Sequence, residues 1–143
     1  MLKRASIVAV AAAFVPAPAV AQEVIYRSSQ VASGQIIRLG LFGNMRPDCT
    51  AGPAPEVKVT SHPKSGLLKV SAGKLKTNLR GKCPQIEVPV NGVFYQANPR
   101  FVGQDEITFE VTSASGKKVS QSIKITVTAA PAPRPRDVDP TEL

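Results

Sequence analysis

From residue 23 onward, apolar and polar residues alternate in short runs: EVIYRSS, GQIIRLG, PEVKVTSH, GLLKVSA, QIEVPV, GVFYQA, DEITFEVTS and KKVSQSIKITVTA. A period of two sends successive side chains to opposite faces of an extended backbone, so each run is predicted as a β-strand. Helical spacing is nearly absent from the same region. Between the runs stand Ala32-Ser33-Gly34, Gly43-Asn44, Pro47-Asp48, Ala51-Gly52-Pro53, Pro63-Lys64-Ser65-Gly66, Asn91-Gly92, Asn98-Pro99 and Ser115-Gly116. These residues form turns because they tolerate positive φ, preset φ or bond their own backbone. Eight such runs, read as seven or eight strands, predict an all-β sandwich of two antiparallel sheets. In the stretch FVGQDEITFEV the phase puts Phe101, Phe109 and Val111 in the core and turns Gln104, Thr108 and Glu110 outward.

The two ends break this pattern. Residues 1–21, MLKRASIVAVAAAFVPAPAVA, have a basic start at Lys3 and Arg4, an apolar run and a small-x-small ending, the signature of a secretory signal peptide cut before Gln22. The apolar run is too short to cross a bilayer, and no later segment approaches the roughly 20 residues a membrane helix needs. The expected location is therefore periplasmic or secreted, with no membrane span. Residues 130–143, APAPRPRDVDPTEL, alternate Pro with Ala and Arg and offer nothing to bury, so they are expected to be a disordered, Pro-rich tail. Residues 22–129 remain as one domain of ordinary size. In an oxidising compartment the chain's two cysteines, Cys49 and Cys83, are expected to form a disulfide. Their spacing is far from C-x-x-C, which argues against a redox role.

Charge is unevenly spread. Residues 22–129 hold 14 Lys or Arg against 7 Asp or Glu, and the segment from Val57 to Ile86 holds no acid. Its bases are Lys58, Lys64, Lys69, Lys74, Lys76, Arg80 and Lys82, read as a candidate anion-binding face. If the loop at His62 to Ser65 joins two paired strands, Lys58 and Lys69 lie about opposite each other.

Catalytic chemistry finds little footing. His62 is the only histidine, and a Ser-His-Asp set with Asp48 or Asp105 lacks the G-x-S-x-G elbow. Asp105, Glu106 and Glu110 are too few for calcium, which takes six to eight oxygens. No metal or other cofactor is expected. The chain has no Trp and few aromatics, which weakens stacking platforms for sugars or single strands, so nucleic acid is not an expected partner.

The layout Tyr95-x5-Phe101-x-Gly103-x-Asp105-x-Ile107-x-Phe109-x-Val111 resembles the closing half of bacterial cadherin-like and immunoglobulin-like repeats, whose usual form is Y-x-P-x3-F-x-G-x-D-x-F-x-Y-x-V. The proline here stands two positions late, at Pro99. The resemblance runs from about Gly34 to Thr128 and takes in Val57 to Thr60, Pro63-x-x-Gly66-Leu67 and the final strand with Val119, Ile123, Ile125 and Val127. It implies an immunoglobulin-like Greek-key sandwich of the kind used as a spacer or binding module at bacterial surfaces, and it implies no enzyme. A parallel with the tyrosine corner sets Asp105, Phe109 and Val111 where that motif has an acid, a Tyr and a Cys. Asp105 is then expected to accept backbone N–H bonds in a scaffold role. Two functions of different kind follow. One is a non-enzymatic module in contact with an envelope protein or an anionic envelope polymer. The other is a periplasmic accessory or inhibitor subunit docked on one specific protein.

Overall fold

The structure, a computed structural model, describes residues 11–18, 22–78 and 81–131. Most of the expected signal peptide, Arg80 of the basic set, and the tail from 132 onward lie outside the described residues. Residues 11–18 have no regular secondary structure and are exposed.

Seven strands form among the described residues: β1 (Glu23–Ala32), β2 (Ile36–Gly43), β3 (Glu56–Ser61), β4 (Gly66–Thr77), β5 (Ile86–Ala97), β6 (Gly103–Thr112) and β7 (Lys118–Thr128). No helix occurs among the described residues, and none is therefore long and apolar enough to cross a membrane. The strands make a four-stranded sheet in the order β1-β7-β6-β3 and a three-stranded sheet in the order β2-β5-β4. β1 runs parallel to β7, and every other pair is antiparallel.

The apolar phases of both sheets meet between them. Val93, Tyr95 and Ala97 of β5 and Leu39 of β2 pack against Ile107 and Phe109 of β6 and Ile123, Ile125 and Val127 of β7. Phe109 takes the inward place expected of it and meets the ring of Phe42 edge to face, 5.9 Å between centroids, which ties the two sheets together. Phe101 and Val111 are only half-buried, packed at the margin of this core. Gly103 sits at φ 148°, and a Cβ there would come within 3.1 Å of the Phe101 ring, so the turn into β6 requires glycine.

Two of the eight expected strands fuse into one. Asn91-Gly92 makes no turn but lies in mid-β5, where the unbroken register with β4 carries the chain straight through. The Asn91 side chain donates to the Pro55 carbonyl at 2.8 Å, and the space a Gly92 side chain would fill is taken by the Phe94 ring. Pro89, which cannot donate to a ladder, falls beyond Val90, the last residue that β2 pairs.

β5 also feeds a second core with its opposite phase. Val88, with Ile86 beside it, packs on Met45, Cys83, Cys49 and Ala51. Cys49 and Cys83 are joined by a disulfide across a separation of 34 residues, pinning the β2–β3 loop to the β4–β5 connection. Cys49 lies at φ 64°, closing a turn in which its N–H donates to the Arg46 carbonyl while Asp48 accepts from Thr50. Loop closure over that separation stabilises by roughly 3–4 kcal/mol on the chain-entropy argument. Cys83→Ser is expected to lower unfolding free energy by about 2–5 kcal/mol in urea titrations, with the loss concentrated around this smaller core. An unchanged midpoint would show that the loop is held by packing alone.

Candidate docking surface

The outward phases of the two sheets differ in kind. On the four-stranded sheet, Lys58, Thr60, Gln104, Glu106, Thr108, Glu110, Lys118, Ser120, Ser122, Lys124 and Thr126 face away from the core across β3, β6 and β7, and Val24 and Tyr26 of β1, 42% and 79% exposed, share that face at its edge. Its charges answer one another. Glu106 stands opposite Lys124, and Glu110 stands opposite Lys58 while bridging Lys118 at 3.5 Å. The Glu110 carboxyl is held below its ordinary value, chiefly by Gln22 Nε2 donating at 2.7 Å; Lys118 and Lys58 add to this against a burial that raises it.

On the three-stranded sheet the register sets out a different face. Its rows are Ile36–Gln96–Leu67, Arg38–Phe94–Lys69, Leu41–Gly92–Ser71 and Gly43–Val90–Gly73. Ile36 is 60% exposed and Leu67 71%, while Leu41 and Phe94 are half-buried. The Phe94 ring lies along the strand over Gly92, toward Leu41, and the three glycines flatten the surface. A shallow recess of about 230 Å³ opens between Arg38, Leu41, Phe94 and the β4 residues from Ser71 to Leu75. No acid occupies any outward position of this sheet, whereas Arg38 and Lys69 flank the aromatic ring. The second core covers the far end of the same phase at Val88 and leaves the Ile36–Leu67 end open.

The basic segment does not form one face. β3 pairs with β6 and β4 with β5, so the chain passes from one sheet to the other at His62 to Ser65. Lys58 consequently stands opposite Glu110, and Lys69 opposite Phe94, in place of the expected Lys58–Lys69 pair. Lys64 lies in the crossing loop and Lys82 beside Cys83. Lys74 and Lys76 take the phase opposite to Lys69, where Lys74 bridges Glu87 at 3.3 Å. Of the six described members, Lys69 alone takes the outward phase of the apolar face, and Lys74 borders its recess from the strand edge. Arg38 escaped the sequence reading because it lies outside the acid-free segment. The readable signal was the doublets Ile36-Ile37, Leu67-Leu68 and Phe94-Tyr95, each sending one apolar side chain to either face.

Asp105 is the one buried carboxylate among the described residues. Its oxygens accept from the Lys64 and Ser65 N–H groups at 2.9 and 3.0 Å, from the Glu106 N–H at 2.9 Å and from the Tyr95 hydroxyl at 2.9 Å. Burial pushes the carboxyl up, but these bonds together outweigh it and hold Asp105 below its ordinary value. Tyr95 is driven upward, first by burial and then by Asp105. The scaffold role foreseen for Asp105 thus clamps the sheet-crossing loop, and β5 supplies the hydroxyl that Phe109 lacks. A catalytic dyad needs the carboxylate to accept from the imidazole. Although His62, Ser61 and Asp105 line one recess, Asp105's four bonds come from other groups. Among the described residues, no three His, Cys, Asp or Glu side chains gather as metal ligands. The chain matches no family model and no curated protein sequence, so the functional reading rests on its own residues.

Proposed function

We propose that this chain is an exported, non-enzymatic, immunoglobulin-like module of the cell envelope that docks through the outer face of β2-β5-β4 onto an acidic protein surface carrying apolar side chains. The observation that supports this most is the contrast between the two outer faces. Across β3, β6 and β7 the first is polar and neutralises its own charges, with Val24 and Tyr26 exposed only at its β1 edge; the other sets apolar side chains beside cations with no acid among them. A solvated face gains nothing from exposing Ile36 and Leu67 on either side of Gln96 beside the half-buried Phe94 ring, and exposed apolar surface of this kind marks interaction sites. Apolar anchors also favour a protein over an anionic polymer, whose phosphates would use the cations and leave the leucines wet. The resemblance to envelope repeats and the signal-like N-terminus agree with this reading.

The test compares two double variants of equal charge change, Arg38→Glu/Lys69→Glu on the proposed face and Lys58→Glu/Lys124→Glu on the other. Immobilised protein is exposed to envelope extract split into protein and anionic-polymer fractions. Binding in the protein fraction is expected to weaken about tenfold or more for the first pair and for Leu67→Ser, and little for the second pair. Retention from the polymer fraction, or equal loss with both pairs, would contradict the proposal.

A further inference from the structure

Among the described residues each sheet has two unpaired edges, and three of the four are guarded. Exposed strand edges invite pairing with other chains, and proteins blunt them by shortness, bulges or lysines. β3 is six residues long with its register broken between Val59 and Ser61. β2 is broken by a bulge between Arg38 and Gly40. β4 carries Lys69, Lys74 and Lys76. β1 has none of these three devices; its charges are Glu23 and Arg27, in the same phase as Ile25. It pairs with β7 over ten consecutive residues without a register shift, holds no lysine or proline, and exposes Ile25 (39%) and Tyr26 (79%).

We propose that β1 is a homodimer edge, pairing antiparallel with β1 of a second copy about a two-fold axis at Ile25. The sequence of the edge selects both the occupant and the register. With Ile25 opposite its own copy, Glu23 meets Arg27, Val24 meets Tyr26 and Gln22 meets Ser28, each twice by symmetry. Opposite charges and aromatic–β-branched pairs are the favourable cross-strand neighbours. Centring on Tyr26 instead sets Ile25 against Arg27 and Glu23 against Ser29, and centring on Arg27 opposes two like charges. A two-fold interface must be self-complementary, and of these three registers the one centred on Ile25 pairs opposite charges and apolar neighbours together.

The ground beneath the axis agrees. Ile25 pairs with Gln121, which pairs with Phe109, so Ile25 takes the inward phase. There it lines a largely apolar recess of about 250 Å³ with Pro55, Val111 and Val119. The second Ile25, directly across the strand pair, would lie over that recess. Both charged partners keep capacity for the contact. Arg27 gives one donor to the Leu39 carbonyl at 2.6 Å and has others to give. Glu23 meets Lys117 at 3.1 Å through one oxygen and has a second.

The direct test is Ile25→Cys in the full chain. The two native cysteines are bridged to each other, so the introduced thiol is the only free one. On mild oxidation it is expected to give a covalent dimer, while Leu67→Cys, exposed on the other sheet, stays monomeric. Sedimentation of the unaltered protein should show a concentration-dependent doubling of mass. Arg27→Glu and Glu23→Arg should each weaken dimerisation about tenfold, and the double exchange should restore it, a rescue that altered folding of Arg27→Glu alone would not produce. A monomer at every concentration, equal crosslinking at both cysteine positions, or failure of the double exchange to recover the dimer would overturn the proposal.

Discussion

Replacing Asp105 by alanine is expected to lower stability by about 3–5 kcal/mol, because it strips several buried neutral donors of their one charged acceptor. The reason is the number of donors left behind. The Tyr95 hydroxyl and the Lys64 and Ser65 N–H groups converge on this carboxylate beneath the sheet-crossing loop, and each hydrogen bond to a charged group is worth about 1.5–3 kcal/mol. Asp105→Asn keeps the shape and one acceptor, so it should cost less. The same carboxylate sets an acid limit. Because its folded value lies below its ordinary one, the stabilisation it provides is complete above the ordinary carboxylate value and is lost as pH falls through the lowered folded value. Urea titrations at neutral and acid pH should therefore show the parent losing stability toward acid with a steeper slope than Asp105→Asn. Parallel slopes, or an alanine variant as stable as the parent, would remove Asp105 from its place as the clamp.

Phe109→Ala is expected to cost a similar 3–5 kcal/mol, the usual range for deleting a fully buried aromatic ring. Its loss opens a cavity where the sheets meet and leaves the edge of Phe42 without its partner. Phe101→Ala, at the half-buried margin, should cost distinctly less by the same denaturant measurement. Equal losses from the two would mean that the core is centred elsewhere than between β2 and β6.

How much of this was legible in the chain depends on the kind of information each feature needs. Period-two alternation is local, so the strands, the sandwich and the inward place of Phe109 could be read directly. The disulfide followed from compartment logic and two cysteines. Asn91-Gly92 misled because its turn chemistry is local while its fate was decided by pairing with twelve residues of β4. Lys58 and Lys69 misled for a related reason: a short Pro-Gly loop reads as a hairpin, and nothing near it says that the chain changes sheets. The Asp105 clamp was half visible. Its role as backbone acceptor followed from the corner-like spacing, but its Tyr95 partner sits on a strand whose neighbour only the fold reveals. The apolar outer face of β2-β5-β4 was hidden because a face is a sum over three strands, two of them far apart in sequence. Only the doublets at Ile36, Leu67 and Phe94 hinted at it.

The most direct measurement is amine labelling of the protein in intact envelope preparations, compared residue by residue with the purified protein. Lys69 stands on the proposed docking face, whereas Lys58 and Lys124 project from the other sheet. The account predicts that Lys69 loses reactivity in the envelope while Lys58 and Lys124 keep theirs. Protection of Lys58 and Lys124 with Lys69 left reactive, or no difference at any of the three, would contradict it.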